Sequence, residues 1–311
     1  MNIASSDYLI IGGTTKAGTT SLFNYLASHP EICPASFKET RFFLDLEYPL
    51  KSKYRFGADE LEKYGEYYLD CSKTAIRLEA TPDYLYSKGC AKRISTNLPK
   101  ARMIFILRDP IARLYSWYLF SQQDSKLDQK ITFDDYVRTQ MEYTKSSLDN
   151  APQHMKSLEQ GCYAVYIRDF IEALGNENCL ILFLEDLERA PLEVMQRICH
   201  FANISDDFYS NYQFGVANKT QSMRLPKLHG LYKDVIYQLR KFTHHHSNFH
   251  KIMRMIRRCV DVFYLRINVK QNTNSPISVE TREILSRFYA GDQSELAHLL
   301  ETKFAEDEDA R

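Results

Sequence analysis

The feature that most constrains this chain is an apolar run followed at once by a glycine-rich turn and a helical pattern, "YLIIGGTTKAGTTSLFNYLA" at 8–27. The run at 8–12 is typical of a strand buried on both faces. Leu22 and Leu26 then recur at helical spacing over about 19–28. A glycine-rich turn between such a strand and helix directs backbone N–H groups and the positive helix end toward an anion. The sequence therefore predicts a phosphate-binding loop, the alternative being a plain tight turn with a helix cap.

The lysine of this loop stands in an unusual position. The Walker A motif of nucleoside triphosphatases has its lysine directly after the second glycine. Here Thr19 follows Gly18, and the lysine stands earlier, at Lys16. A lysine at the front of the loop suits the bond to the terminal 5′ group of a nucleotide, because a 5′-phosphate that leaves without a metal ion needs a nearby cation.

A second anion site is predicted after the apolar run at 102–107. A Walker B strand ends in aspartate to hold magnesium, whereas this one is followed by Arg108, and Ser116 comes two helical turns later. An arginine at the carboxyl end of a strand and a hydroxyl on the next helix suit a second anion in the same crevice. We expect Arg113 to pair with Asp109, four residues before it.

The alternation of strand and helix patterns indicates the fold class. Further strands are predicted at 75–79 and 179–184, with helical patterns between them. This predicts a three-layer α/β domain in which helices flank a central parallel sheet. We expect one domain over 1–311 with a basic helical insertion at about 227–270. Within the insertion, the amphipathic 249–267 segment could pack as a lid or dock on an anionic glycan or a membrane surface.

Charge and cysteine content bear on partners and location. Lys and Arg number 40, as do Asp and Glu, so the net charge gives no reason to expect a nucleic-acid partner. The seven cysteines form no Cys-x-x-Cys pair, which predicts reduced thiols and no metal site. No signal-peptide pattern is visible, and the apolar runs are too short to cross a bilayer. We therefore expect a cytoplasmic protein.

Two segments resemble the signatures of sulfotransferases that use 3′-phosphoadenosine 5′-phosphosulfate (PAPS). They are "TTKAGTTSL", for the 5′-phosphosulfate, and "LRDPIARLYSWY", for the 3′-phosphate. The resemblance continues in order through "KETRFF", "LEATPDYLY", "GCYAVYIRDFIEALG" and "NKTQSMR", over most of 8–300. It implies a P-loop-like α/β fold and metal-independent sulfuryl transfer from PAPS, with adenosine 3′,5′-bisphosphate as the product.

The resemblance also implies roles for individual residues near the nucleotide. Lys16 would be the catalytic cation for the leaving phosphate. The implied cofactor-binding residues are Lys16, Gly18, Thr19, Thr20, Ser21, Arg108, Ser116, Tyr163, Lys219 and Arg224. No residue is predicted to bind a metal.

The acceptor side of the site is implied by two further motifs. Related glycan O-sulfotransferases often carry Glu-x-His-Phe-Phe, which makes Glu39 the implied catalytic base, although Arg41 replaces the histidine. Arg41 could neutralise an acidic acceptor, and Glu79 and Tyr84 are candidate substrate contacts. Related enzymes often have a lysine directly after the glutamate that corresponds to Glu79, whereas this chain has Ala80. The alternative for Glu39 is a surface carboxylate paired with a neighbouring lysine or arginine.

The predicted function is sulfuryl transfer from PAPS to a hydroxyl of a carbohydrate or glycan. A lipid or small-molecule hydroxyl is an alternative acceptor. A P-loop kinase or NTPase is an alternative of another class, with Asp186 of "LILFLEDL" as its magnesium ligand, although this aspartate also suits a helix cap. A nucleotide-binding module without catalysis is the third alternative.

Overall fold

The computed structural model describes residues 3–72, 75–143, 151–215, 222–223, 269–270 and 277–309, without the side chains of 222–223, 269–270 and 302–309. The chain divides into two compact units. The first comprises Met1–Arg113, Glu159–Asn218 and Leu285–Arg311, and the second comprises Leu114–Leu158 and Lys219–Ile284. The single-domain organisation stays a prediction. Apart from 269–270, the predicted basic insertion lies outside the described residues, as does the whole amphipathic segment within it.

A five-stranded parallel sheet forms the centre of the first unit. Its strands are β1 (Tyr8–Gly13), β2 (Ile32–Pro34), β3 (Ile76–Ala80), β4 (Ala101–Leu107) and β5 (Cys179–Phe183). Their order across the sheet is β2-β3-β1-β4-β5, and every neighbouring pair is parallel. The strand that leads into the predicted phosphate loop is therefore the central one. The predicted α/β fold class is confirmed.

Helices and short 3₁₀ turns connect the strands. The helices are α1 (Thr19–Ala27), α2 (Glu62–Gly65), α3 (Cys90–Asn97), α4 (Pro110–Gln123), α5 (Phe133–Glu142), α6 (Tyr163–Leu174), α7 (Leu184–Arg189), α8 (Pro191–Ala202) and α9 (Val279–Asp309). The 3₁₀ turns are Glu66–Tyr68, Pro82–Tyr86, Gln153–Met155, Glu159–Gly161, Asn176–Asn178 and Asp207–Asn211.

The sheet is buried on both faces. Along β1, Tyr8 and Ile10 enter one hydrophobic cluster, whereas Leu9 and Ile11 enter another on the opposite face. Side chains of α3 and α6 belong to the first cluster, and side chains of α1 and α8 belong to the second. Because successive side chains of a strand point to opposite faces, a continuous apolar run is what a strand with helices on both sides requires.

The second unit is described in part. The side chain of Thr132 accepts a hydrogen bond from the Asp135 backbone N–H at 3.1 Å and so caps α5. The rings of Tyr118, Phe133 and Tyr136 pack together in this unit. Two short strands, β6 (Ser222–Met223) and β7 (Val269–Lys270), pair antiparallel.

A disulfide bond corrects the prediction that all cysteines are reduced thiols. Cys33, on β2, is bonded to Cys71, with 5.7 Å between their Cα atoms and a sequence separation of 38. That prediction is therefore wrong for these two residues, because local spacing cannot indicate a pair so far apart. The predicted cytoplasmic location stays a prediction, and a disulfide bond is unusual in that compartment. Across the part of the chain that the structure describes, no helix combines the length and apolarity needed to cross a membrane.

Candidate active site

The glycine-rich loop between β1 and α1 has the geometry of an anion cradle. Gly18 precedes α1 with a φ of 79°, a left-handed conformation that favours glycine. A Cβ atom there would lie 2.6 Å from Leu184 Cδ1, so no other residue fits without a shift. The loop is tied to the sheet by a 2.9 Å hydrogen bond from the Thr14 N–H to the carbonyl of Ile106, on β4.

The first turn of α1 fits a phosphate group. No side chain among the described residues caps this helix, and its first turn contains no acidic residue. The N–H groups of a helix's first turn have no partner within the helix, and they carry a partial positive charge. The hydroxyl side chains of Thr19, Thr20 and Ser21 add further donors at the same place. These donors are the chemistry that a 5′-phosphosulfate requires.

Lys38 contacts this turn, and sequence reasoning missed it. Its Nζ donates to Thr20 Oγ1 at 3.1 Å and to Thr19 Oγ1 at 3.4 Å. The same Nζ lies 3.6 Å from Glu39 Oε1. Burial lowers the pKa of Lys38, and the neighbouring Glu39 charge acts in the opposite direction. From the sequence, Lys38 was considered only as a surface partner of Glu39. Its contact with Thr20 joins residues that are 18 positions apart, and no local pattern indicates such a contact.

Glu39 lies between two cations. Its Oε2 accepts a hydrogen bond from Arg41 Nη2 at 2.7 Å, and Lys38 approaches its other oxygen. Arg41 Nη1 also donates to the carbonyl of Lys51 at 3.0 Å. The Glu39 side chain is 33% exposed, so a substrate can reach it. The alternative interpretation of Glu39 was a surface carboxylate paired with a neighbouring lysine or arginine, and these ion pairs are present. The roles of Glu39 as base and of Arg41 in neutralising an acceptor stay predictions.

Glu79 is a fully buried carboxyl group behind this segment. Its Oε2 accepts a short hydrogen bond from Thr40 Oγ1, whose oxygen lies 3.2 Å from the Tyr84 hydroxyl. Its other oxygen has no hydrogen-bond partner among the described residues. Burial raises the pKa of Glu79 from 4.5 to about 7, and the hydrogen bond from Thr40 acts against the rise. Because Glu79 and Tyr84 have no exposed surface, their arrangement favours support of the Glu39 segment, and acceptor contact by them stays a prediction.

A second buried carboxyl group faces Glu39. Asp83 is 7% exposed, and its Oδ1 accepts a hydrogen bond from the Tyr48 hydroxyl at 2.9 Å. Burial and then the Glu39 charge raise the pKa of Asp83 to about 6, although the charges of Arg41 and Lys38 act against the rise. Sequence reasoning missed this residue, since an aspartate in the first turn of a helical segment usually lies at the surface, where the helix dipole favours it.

Arg108 holds the other side of the loop. Its Nη1 donates to the carbonyl of Lys16 at 3.2 Å, and its own carbonyl accepts from the Tyr163 hydroxyl at 2.8 Å. Tyr163 is 3% exposed, and burial raises the pKa of its phenol. Arg113 is fully buried, and its Nη1 donates to Thr15 Oγ1 at 3.4 Å, while its pairing with Asp109 stays a prediction. Arginine side chains therefore reach the loop from the β4 side.

Three of the predicted cofactor contacts cannot be joined to this group. Ser116 is buried on α4 in the second unit, and its contact with a 3′-phosphate stays a prediction. Lys219 and Arg224 lie outside the described residues. The structure does bring together around the loop Lys16, Gly18, Thr19, Thr20, Ser21, Arg108 and Tyr163.

The magnesium ligand of the kinase alternative has another partner. Asp186, in the first turn of α7, forms an ion pair at 2.7 Å with Arg189, one turn further along. The neighbouring Glu185 accepts a hydrogen bond from the Asp109 backbone N–H at 3.1 Å. Asp186 does not cap α7 either, because the helix begins at Leu184 and the aspartate lies within its first turn. Among those residues, no group of three His, Cys, Asp or Glu side chains is placed to bind a metal ion.

Comparison with known proteins identifies the family. The sulfotransferase domain family matches residues 6–228, which is more than half of the chain. The chain belongs to this sulfotransferase family. The loop, the first turn of α1 and Arg108 are the parts of the structure that suit an anionic nucleotide.

Curated relatives match over part of their length. The chain is 28% identical over 218 residues to mouse bifunctional heparan sulfate N-deacetylase/N-sulfotransferase 4, a match that covers 65% of this chain and 22% of that protein. It is 39% identical over 114 residues to the membrane-associated sulfotransferase kil1 of Dictyostelium discoideum, covering 37% of this chain and 23% of that protein. The chain thus spans less than a quarter of the length of these relatives.

A solved structure supports the fold over nearly the whole chain. A sulfotransferase from Alicyclobacillus acidocaldarius superposes with a TM-score of 0.66 at 19% identity, and the match covers 96% of each chain. At this identity the likeness concerns the fold alone.

Proposed function

We propose that this chain transfers the sulfuryl group of PAPS to a hydroxyl of a carbohydrate or glycan, with Glu39 as the general base and without a metal ion. The observation that carries the proposal is the position of Glu39 relative to the donor loop. A single ammonium group, that of Lys38, lies 3.1 Å from Thr20 and 3.6 Å from Glu39. A base this close to the loop can reach an acceptor aligned with the donor sulfur.

The reaction needs one proton acceptor and one cation. The S–O bond to the 5′-phosphate breaks and its electron pair stays on the phosphate, while the acceptor oxygen forms the new S–O bond. Glu39 takes the proton of the acceptor hydroxyl. Lys16 stabilises the negative charge that develops on the phosphate, and the first turn of α1 orients it. PAPS supplies the sulfuryl group.

The surroundings of two carboxyl groups support Glu39 as the base. The two carboxyl groups at the site have different surroundings: Glu39 is partly exposed and paired with Arg41, whereas burial raises the pKa of Asp83 to about 6. A partly exposed carboxylate is open to the proton of an acceptor hydroxyl, whereas a buried carboxyl group can hold the acceptor by a hydrogen bond. We therefore assign proton abstraction to Glu39 and acceptor orientation to Asp83.

The acceptor class is proposed from the relatives. The curated relatives that carry heparan sulfate in their names are 26–28% identical to the chain, which favours a glycan. Those relatives are named N-sulfotransferases, so transfer to a glycan amino group is the second candidate function. The same base would serve both reactions, because an ammonium acceptor also has to lose a proton before it attacks sulfur.

The acceptor can be tested with one polysaccharide in two forms. The enzyme is incubated with PAPS carrying radiolabelled sulfate and an unsulfated heparan-type polysaccharide, once fully N-acetylated and once N-deacetylated. We expect label on the N-acetylated form, which has only hydroxyl groups to offer. Label only on the N-deacetylated form would show that the acceptor group is an amine and not a hydroxyl. Absence of label on both forms would contradict a heparan-type glycan acceptor.

The rival classes are separated in the same assay. Loss of transfer in the presence of a metal chelator would favour the kinase or NTPase alternative. A chain that binds adenosine 3′,5′-bisphosphate but labels none of a panel of glycan, lipid and phenolic acceptors would fit the non-catalytic module. Label on a lipid or small phenol in place of glycan would keep the chemistry and change the acceptor class.

A further inference from the structure

Lys38 is the one ammonium group that the structure joins both to the donor loop and to Glu39 among the described contacts. We propose that Lys38 is a further catalytic residue, which binds the 5′-phosphosulfate end of the donor together with Lys16. The inference rests on the proposed function, since it assigns a second cation to the same site.

The contacts of Lys38 orient it toward an anion at the start of α1. Its ammonium group donates to the hydroxyl oxygens of Thr19 and Thr20. A hydroxyl that accepts a hydrogen bond still has its own proton to donate. Lys38 therefore places its charge beside two hydroxyl donors and the N–H groups of the helix, so that the three kinds of donor converge on one group.

The backbone fixes this lysine at the end of a strand. The N–H of Ala80, the last residue of β3, donates to the Lys38 carbonyl at 2.9 Å. The side chain of Ala80 is fully buried and carries no charge. The cation at this strand end is consequently supplied by the neighbouring segment, which this hydrogen bond ties to β3.

The charges around Lys38 leave its hydrogen atoms directed at the loop. Glu39 makes its 2.7 Å contact with Arg41 and stands 3.6 Å from the ammonium group of Lys38, beyond hydrogen-bond distance. The Lys38 side chain is 21% exposed. The Glu39 charge offsets part of the lost hydration of this largely buried ammonium group, and the phosphosulfate would add a second negative charge at the first turn of α1.

Two neutral variants distinguish a charge role from a merely structural one. Lys38→Met removes both the charge and the hydrogen bonds to the threonines, whereas Lys38→Gln keeps a donor for them. If the charge binds the donor, both variants lose affinity, and Lys38→Arg retains most of it. If Lys38 only tethers α1, Lys38→Gln keeps the affinity of the wild type. Lys63→Met is the matched control, because Lys63 is 48% exposed and pairs with Glu66 on the surface.

The measurement is calorimetric titration with adenosine 3′,5′-bisphosphate and with adenosine 3′-monophosphate, which lacks the 5′ group. For Lys38→Met and Lys38→Gln we expect about a 10- to 100-fold loss of affinity for the bisphosphate, the range for a hydrogen bond to a charged group, and no loss for the monophosphate. Unchanged bisphosphate affinity, or equal losses for both nucleotides, would overturn the inference alone. A wild-type protein that bound neither nucleotide would instead refute the proposed function.

Discussion

Replacement of the buried Glu79 by glutamine should make the protein's stability less dependent on pH. The folded protein raises the pKa of this carboxyl group from 4.5 to about 7 by burial. At roughly 1.4 kcal/mol per pKa unit, this rise corresponds to about 3 kcal/mol in the free energy of unfolding. The side chain has no exposed surface, so solvent screening does not reduce the figure.

The direction follows from proton binding. Below the unfolded pKa of about 4.5, Glu79 is protonated in both states, and the stability is complete. As the pH rises, the unfolded chain loses the proton while the folded protein keeps it, so the free energy of unfolding falls until about pH 7. Glutamine cannot ionise, and its side-chain oxygen can still accept the hydrogen bond from Thr40. Glu79→Gln therefore lacks this decline.

The assay is urea unfolding of the wild type and the variant, followed by circular dichroism at several pH values. We expect the stability of the wild type relative to the variant to fall by roughly 2–3 kcal/mol between about pH 5 and about pH 8. Glu62→Gln, at an exposed position on α2, controls for the loss of one carboxylate. A difference between wild type and Glu79→Gln that stayed constant over this range would show that Glu79 ionises normally and would refute the reasoning.

Three further predictions concern the site and the covalent frame. Glu39→Gln should lower kcat at least about 100-fold, the contribution of a general base, and leave the calorimetric affinity for adenosine 3′,5′-bisphosphate near that of the wild type; retained turnover would remove Glu39 as the base. Arg108→Ala should weaken bisphosphate binding by about 1.5–3 kcal/mol, and an unchanged affinity would contradict its role at the 3′-phosphate. Cys33→Ser should lower the free energy of unfolding by about 2–4 kcal/mol, with Cys90→Ser as a control at a buried free thiol; mass spectrometry that found free thiols at Cys33 and Cys71 in the native protein would contradict the bond.

The parts of the fold that could be predicted from the sequence depend on residues that are adjacent in the chain. The apolar run of β1, the glycine at position 18 and the helical spacing of α1 follow one another in the chain, so periodicity and turn chemistry suffice to predict them. Arg108 was predicted for the same reason, because it directly follows an apolar strand. Its hydrogen bond to the carbonyl of Lys16 spans 92 positions and is consistent with the predicted crevice.

The parts that sequence missed depend on contacts between distant segments. Lys38 reaches Thr20 across 18 positions, and Cys33 pairs with Cys71 across 38. The hydrophobic periodicity of the sequence does not indicate either contact. Likewise, the letters around Asp83 do not reveal that the residue is buried, and burial is the main cause of its raised pKa. Such features follow from tertiary packing, which cannot be read from the local pattern of a single sequence.

The position of β1 at the centre of the sheet has a consequence for redesign. The strand on one side, β3, carries Glu79 and braces the segment that bears Glu39, whereas the strand on the other side, β4, ends next to Arg108. Glu39, the proposed base for the acceptor, and Arg108, proposed to bind the 3′-phosphate, are thus separated by one strand. Exchanging residues 41–61 for those of another family member, with Lys38 and Glu39 kept, should therefore change the acceptor preference while the nucleotide affinity persists.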